Sequence, residues 1–359
     1  MTGKTTNDND LMGGKTMKKL TLMLAAAVAG IALSANAYAQ EVTLRLHQML
    51  PPQAVIPAKA LEPWAAKVME ESNGRIKVEH YPSMQLGGKP PSLYDQARDG
   101  VVDLIWTVIG YTPGRFPSTE VFELPFMVTN GEATSKAFHE YCEEHCQDEF
   151  QGVKVIAWHT HGPGLIHSKQ PVQKLEDLNG LKLRGATRVI NQMLEKLGAT
   201  PIGMPVPAVP ESLSKGVIDG TTIPWEVTVP LKISELVDNH TGFDGEHGLY
   251  AATFVFAMNQ ASYDRLPDDL KKVIDDNSGI ETAGLFGKAM DEGDATGRAI
   301  AEKAGDNIYL LAGEEKKRFE DAAAPLIDAW AAEMDEAGKD GKALIEQARS
   351  LIDKYSGGS

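Results

Sequence analysis

From Glu41 to Asn259 the chain alternates short apolar runs with amphipathic helical stretches, and no other feature limits its fold as much. Val42-Leu44-Leu46 has the period of a half-buried strand. Pro57 opens a helix with Leu61, Trp64, Ala65, Val68 and Met69 on one face, closed by Asn73-Gly74. Ile76-Val78-His80 is the next strand, Ser83 to Gly88 a loop, and Pro91 to Arg98 a short helix. Val101 to Val108 is continuously apolar, as a strand buried on both faces must be. A β-α-β-α-β run of this kind buries its strands only as a twisted sheet with helices on both faces.

The pattern then repeats. A helix around Glu132–Glu149 and a strand at Val153–Trp158 lead to Leu165–His167, Gly180–Arg184, a helix over 187–197, and Thr200–Met204. A short helical stretch at Ser212–Ile218 turns at Asp219-Gly220 into Thr221–Trp225. Thr253–Asn259 reads as a strand crossing back, and everything from Asp268 onward is expected to be helical. Two α/β units crossed more than once by the chain, with long C-terminal helices, describe a two-lobed clamshell. Domain I is expected at 40–161 plus 250–288, and domain II at 162–249 plus 289–359. Ligands of such sheets lie in the cleft, at the carboxyl ends of strands.

The N-terminus indicates export. Met17-Lys18-Lys19, the apolar run Leu20–Leu33 and the small-x-small site Ala37-Tyr38-Ala39 form a secretory signal peptide, with Met1–Thr16 as an upstream extension and cleavage near Ala39. The formal charge of −15 falls to −17 once residues 1–39, with four lysines and two aspartates, are removed. A chain so acidic, without a basic block, excludes nucleic acid and anionic membrane as partners. No later run is apolar enough for a span. The only cysteines, Cys142 and Cys146, sit four apart on one helical face with His139. Export favours a disulfide, although parallel Cβ vectors make that geometry awkward. A strained disulfide, two thiols and a metal site stay open here, and neither metal nor cofactor is assigned.

Arg184 ends the run Leu181-Lys182-Leu183-Arg184 and is followed at once by a helix N-terminus. A guanidinium fork beside unpaired backbone N–H groups attracts a carboxylate. A surface ion pair is the plain alternative, but a position at a strand's carboxyl end in a two-lobed chain favours a ligand.

Taken together, the residues resemble the periplasmic solute-binding subunits of TRAP transporters, of the DctP type. The resemblance is carried by Tyr81–Gly88, Gly100-Val101-Val102-Asp103-Leu104, Glu123-Leu124-Pro125-Phe126, His167–Val172, Glu176–Arg184, Gly198-Ala199-Thr200-Pro201 with Met204-Pro205, and Leu213–Gly220, seven segments in order. It implies a periplasmic-binding-protein-like fold of two α/β domains, a long helix bracing both, and hinged closure around an organic acid whose carboxylate is held by Arg184. It also implies two integral membrane subunits as partners, one small and one large. A monomer is expected.

Two departures bear on the ligand. Relatives often carry a second Arg shortly before the strand leading to Ser168, where this chain has Gly162-Pro163-Gly164. They commonly place Asn where this chain has Ile223. One anion anchor in greasy surroundings remains. Trp106 and Tyr111 are the candidate walls from domain I, and Ile223 and Trp225 from domain II; core packing is the bland reading of each aromatic. His159 or His161 is expected to donate a hydrogen bond to the ligand or the hinge. Arg188, a cation at a helix start, is expected to face a counter-anion, either the ligand or an acidic side chain.

The expected ligand is a small aromatic or apolar monocarboxylate, benzoate-like, with an aliphatic 2-oxo or hydroxy acid as the alternative. A sensory binding module fits the same clamshell. A periplasmic hydrolase is disfavoured, because no nucleophile elbow, H-E-x-x-H or phosphate loop is present.

Overall fold

The computed structural model describes residues 1–3 and 40–357, so the signal-peptide segment lies outside the described residues. In chain order, β1 (Val42–Gln48), α1 (Glu62–Glu71), β2 (Ile76–Tyr81), α2 (Leu93–Arg98) and β3 (Leu104–Val108) come first. Then follow α3 (Gly131–His145), β4 (Val153–Thr160), β5 (Leu165–Ser168), β6 (Lys182–Gly185), α4 (Arg188–Lys196) and β7 (Thr200–Gly203). Next are α5 (Val209–Ser214), β8 (Gly220–Ile223), α6 (Trp225–Leu231), β9 (Asn239–Phe243) and β10 (Thr253–Asn259). The C-terminal part holds α7 (Gln260–Asp264), α8 (Asp268–Asp276), α9 (Ile280–Ala304), β11 (Asn307–Leu311), α10 (Gly313–Glu336) and α11 (Gly341–Tyr355).

Two sheets result, ordered β2-β1-β3-β10-β4 and β11-β9-β5-β8-β6-β7. The parallel β1, β2 and β3 follow from the β-α-β-α-β run. β10 crosses back to insert antiparallel between β3 and β4. In the second sheet β6 lies parallel to both β7 and β8, so Arg184 and the end of β8 share one carboxyl edge. The expected α/β clamshell is therefore present.

Some boundaries differ from expectation. Residues 101–103 stay outside β3, because Asp103 folds over to accept the Arg45 N–H at 2.9 Å and the Ser262 hydroxyl at 2.8 Å. The C-terminal stretch is not wholly helical. Gly305, at φ 85°, ends α9 in the left-handed region, and β11 then pairs parallel with β9 at the sheet edge. β11 is five residues long and mostly half-exposed, so it carries no alternation to betray it.

α9 packs against α3 beside the first sheet and against α6 beside the second. Two glycines allow that approach. A side chain on Gly287 would strike the Gly131 backbone, and one on Gly297 the carbonyl of Trp225. α10 packs on α4, whereas α11 returns to α3. Cys142 and Cys146 form a disulfide in the last turn of α3, with a Cα–Cα distance of 4.5 Å, inside the range such bonds tolerate. His139, on the same face, instead accepts the Trp158 N–H at 3.2 Å.

Candidate functional site

Arg184 projects from β6 into the interior and is only 2 % exposed. Its Nε donates to Met204 O at 2.8 Å and its Nη1 to Thr222 O at 3.2 Å. Nη2 approaches the Tyr111 hydroxyl at 3.4 Å. All three partners are neutral, and no Asp or Glu among the described residues forms an ion pair with it. A buried cation without a counter-charge is costly, and a carboxylate at this fork offsets that cost. Tyr111 stands beside the guanidinium. Its hydroxyl receives the Val206 N–H at 2.8 Å, and both this bond and the Arg184 contact use oxygen lone pairs. The hydroxyl proton is left to donate to an anion.

Beside Arg184 lies a cleft with about 420 Å³ of empty space, part of it open to solvent, lined from the first sheet by Trp106, Val108 and Phe254 and from the second by Arg184, Thr222 and Ile223. Trp106 stacks on Phe254 with ring centroids 5.1 Å apart and planes 10° apart. Its indole N–H donates to His159 Nε2 at 2.8 Å. The aromatic wall is thus fixed from behind.

Of the candidates named from the sequence, Trp106, Tyr111, Ile223, His161 and Arg184 line the cavity. The others do not. His159 lies behind Trp106, stacked 4.9 Å from Phe254, and burial lowers its pKa to about 3, so it is a neutral acceptor that orients the indole. Trp225 begins α6, and its ring turns away from the cavity onto His167 and His240, at 5.0 and 4.8 Å. Ile223 points inward because it ends β8; two residues later the chain is helical and the strand's alternation no longer holds. Arg188 has its counter-anions in the protein, where it pairs with Glu120 and with Glu333 at 2.9 Å.

His161 lines the cavity but donates nothing into it. Ala252 N–H donates to its Nε2 at 2.9 Å, which leaves Nδ1 to donate to Gly162 O. Burial, with the nearby Arg184 charge adding to it, lowers its pKa to about 4. The neutral ring therefore ties together two of the three segments by which the chain passes between the sheets, at 161–164 and 244–252. Glu123 makes a similar tie: it accepts from Thr253 N–H at 3.1 Å, Thr253 Oγ1 at 2.9 Å and Thr187 Oγ1 at the head of α4.

Tyr250, Phe254 and Val206 also line the cavity and were not singled out from sequence; Glu226, which lines it too, figured there only as a candidate acid–base group of the disfavoured hydrolase. Phe254 alone had a signal, since it lies in the expected crossing strand Thr253–Asn259, where it pairs with Val108, two residues past Trp106. Tyr250 covers Gly164, the position where a second arginine is absent.

The profile of Bacterial extracellular solute-binding protein, family 7 (DctP), matches residues 48–333. The chain belongs to this family. A TRAP solute-binding protein from Rhodoferax ferrireducens T118, solved with copurified benzoate, is 50% identical over 88% of this chain and 98% of that one, with a TM-score of 0.86. A marine metagenome TRAP protein solved with 3-hydroxybenzoate is 49% identical over 88% and 99% of the two chains, with a TM-score of 0.87. The C4-dicarboxylate-binding periplasmic protein DctP of Rhodobacter capsulatus is 24% identical over 88% of this chain and 94% of its own length. TRAP solute-binding proteins of this family are periplasmic and bind small organic acids for membrane subunits. No helix among the described residues is long and apolar enough to cross a membrane.

Proposed function

We propose that this chain captures a small aromatic monocarboxylate, benzoate or a close derivative, and delivers it to the two membrane subunits of a TRAP transporter. One observation carries the reading: Arg184 is a buried guanidinium with only neutral partners, set in a cavity whose walls are otherwise largely apolar and aromatic. The ligand carboxylate takes the Arg184 fork and the Tyr111 hydroxyl proton, and the ring lies among Trp106, Phe254, Val108 and Ile223. The benzoate and 3-hydroxybenzoate found in the two relatives near 50% identity support it. Lobes at 40–161 plus 250–288 and 162–249 plus 289–359 close over the acid, which favours the closed form because it touches both. Export by a signal peptide cleaved near Ala39 places the chain in the periplasm.

C4-dicarboxylates and sugar acids fit poorly. Apart from the Arg184 anchor, the wall has few free polar groups for a second carboxylate or a ring of hydroxyls, and an unpaired buried hydroxyl costs about 1–3 kcal/mol. Calorimetric titration of the protein, after unfolding and refolding to strip carried-over ligand, tests this. Benzoate should bind in the micromolar range or tighter. Tight binding of malate or a uronate, with no response to benzoate, would overturn it.

A further inference from the structure

The polar groups of the cavity wall have hydrogen-bond partners within the protein, with a single exception. Arg184 is held by Met204, Thr222 and Tyr111, His161 by Gly162 and Ala252, and Trp106 by His159. Thr222 Oγ1 donates to the Arg184 carbonyl at 3.2 Å. The exception is Glu226, the second residue of α6, which is 3 % exposed and lines the same cavity. Of the buried side-chain polar atoms without a hydrogen-bond partner among the described residues, Glu226 Oε2 alone belongs to this wall.

The backbone fixes where that carboxyl stands. Asp294 on α9 accepts the Glu226 N–H at 2.7 Å, and Gly293 leaves room for the Glu226 Cβ against the helix. Burial, followed by the charge of Asp294, raises the Glu226 pKa well above the usual carboxylate range. A neutral carboxyl both donates and accepts, so it matches a hydroxyl, whereas an ionised one would select an ammonium.

We propose that Glu226 is a specificity-determining contact of the bound acid, the hydrogen-bonding partner of a hydroxyl on the ring whose carboxylate Arg184 holds. The assignment rests on the aromatic-acid reading above and adds the subclass: hydroxylated aryl acids bind in preference to unsubstituted ones. An unsubstituted ring leaves Glu226 Oε2 unpaired in a dry site, and a ring hydroxyl removes that penalty. Sites with a polar group awaiting a hydroxyl reject the analogue that lacks it.

The test is a matrix of calorimetric titrations with benzoate and 3-hydroxybenzoate against wild type, Glu226→Gln and Glu226→Met. Wild type should favour 3-hydroxybenzoate by roughly tenfold or more. Glu226→Gln, nearly isosteric and still able to donate and accept, should keep a preference. Glu226→Met should bring the affinity ratio close to one while benzoate still binds, which also shows that the variant folds. A ratio unchanged in Glu226→Met, or absent from wild type, overturns the assignment and leaves the aromatic-acid reading standing. Tighter binding of 3-(aminomethyl)benzoate than of 3-hydroxybenzoate would assign Glu226 to a cation and overturn it too. Failure of wild type to bind either benzoate would instead sink the aromatic-acid reading, and this assignment with it.

Discussion

The ring of Tyr250 stands where a side chain at Gly164 would have to be. A Cβ built on Gly164 falls inside contact distance of Cε1, Cζ and Oη of Tyr250, 2.8 Å from the hydroxyl oxygen. Any larger residue at 164 must therefore displace a cavity wall. Gly164→Ala is expected to destabilise the protein by about 1–3 kcal/mol, the range for overpacking. It should also weaken benzoate binding, and its cost in stability should shrink when it is added to Tyr250→Ala, whose lost ring makes room for the methyl group. Thermal melts of the three variants decide this; full stability in Gly164→Ala alone would mean the ring moves freely.

Arg184→Ala should abolish measurable benzoate binding, a loss of about 3 kcal/mol or more for an unpaired buried carboxylate. Circular dichroism should show the fold retained. Arg184→Lys should recover little, because a single ammonium cannot reach Met204 O, Thr222 O and a ligand together. Near-wild-type affinity in either variant would remove the anchor from the proposal.

Trp225 and Trp106 should behave differently. Trp225→Ala opens a hole beside His167, His240 and Leu165, and should cost about 3–5 kcal/mol of stability. It should leave the ratio of aromatic to aliphatic acid affinities unchanged. Trp106→Phe leaves His159 Nε2 without its donor and should lower both stability and benzoate affinity. Titration of benzoate and a branched aliphatic acid against both variants separates the two roles.

Glu123 gives stability a pH dependence of known sign. Burial raises its folded-state pKa from 4.5 to about 7. A raised acid pKa means that the folded protein holds the proton more tightly, so this contribution is present below about pH 4.5 and is lost as pH rises to about 7. Glu123→Gln lacks the effect. Its stability relative to wild type should increase over that window by up to about 3 kcal/mol, from the size of the shift. Urea unfolding at pH 5 and pH 8 measures it, and an equal difference at both values would show that Glu123 does not titrate as described.

Most of the architecture was readable because burial imposes periods: alternation in β1, continuous apolarity in β3 and a one-sided stripe in α1. Arg184 was readable as a candidate for a local reason, since it ends a strand and precedes a helix. The far wall was not. Tyr250 reaches the cavity only through a pairing distant in sequence, its ring over Gly164. Trp225 misled because a strand's alternation was carried two residues too far, into the start of α6. Arg188 had the expected counter-anion, but tertiary packing supplied it as Glu120 and Glu333.

The glycine face of α9 has a consequence for how such a protein diversifies. Gly297 lies against the carbonyl of Trp225, the residue directly before Glu226, and Gly293 lies against Glu226 itself. A methyl group added at either position pushes on the peptide that carries a cavity residue, without touching any ligand. Substitutions on this helix, none of whose residues lines the cavity, can therefore reshape the cavity wall while every lining side chain keeps its identity.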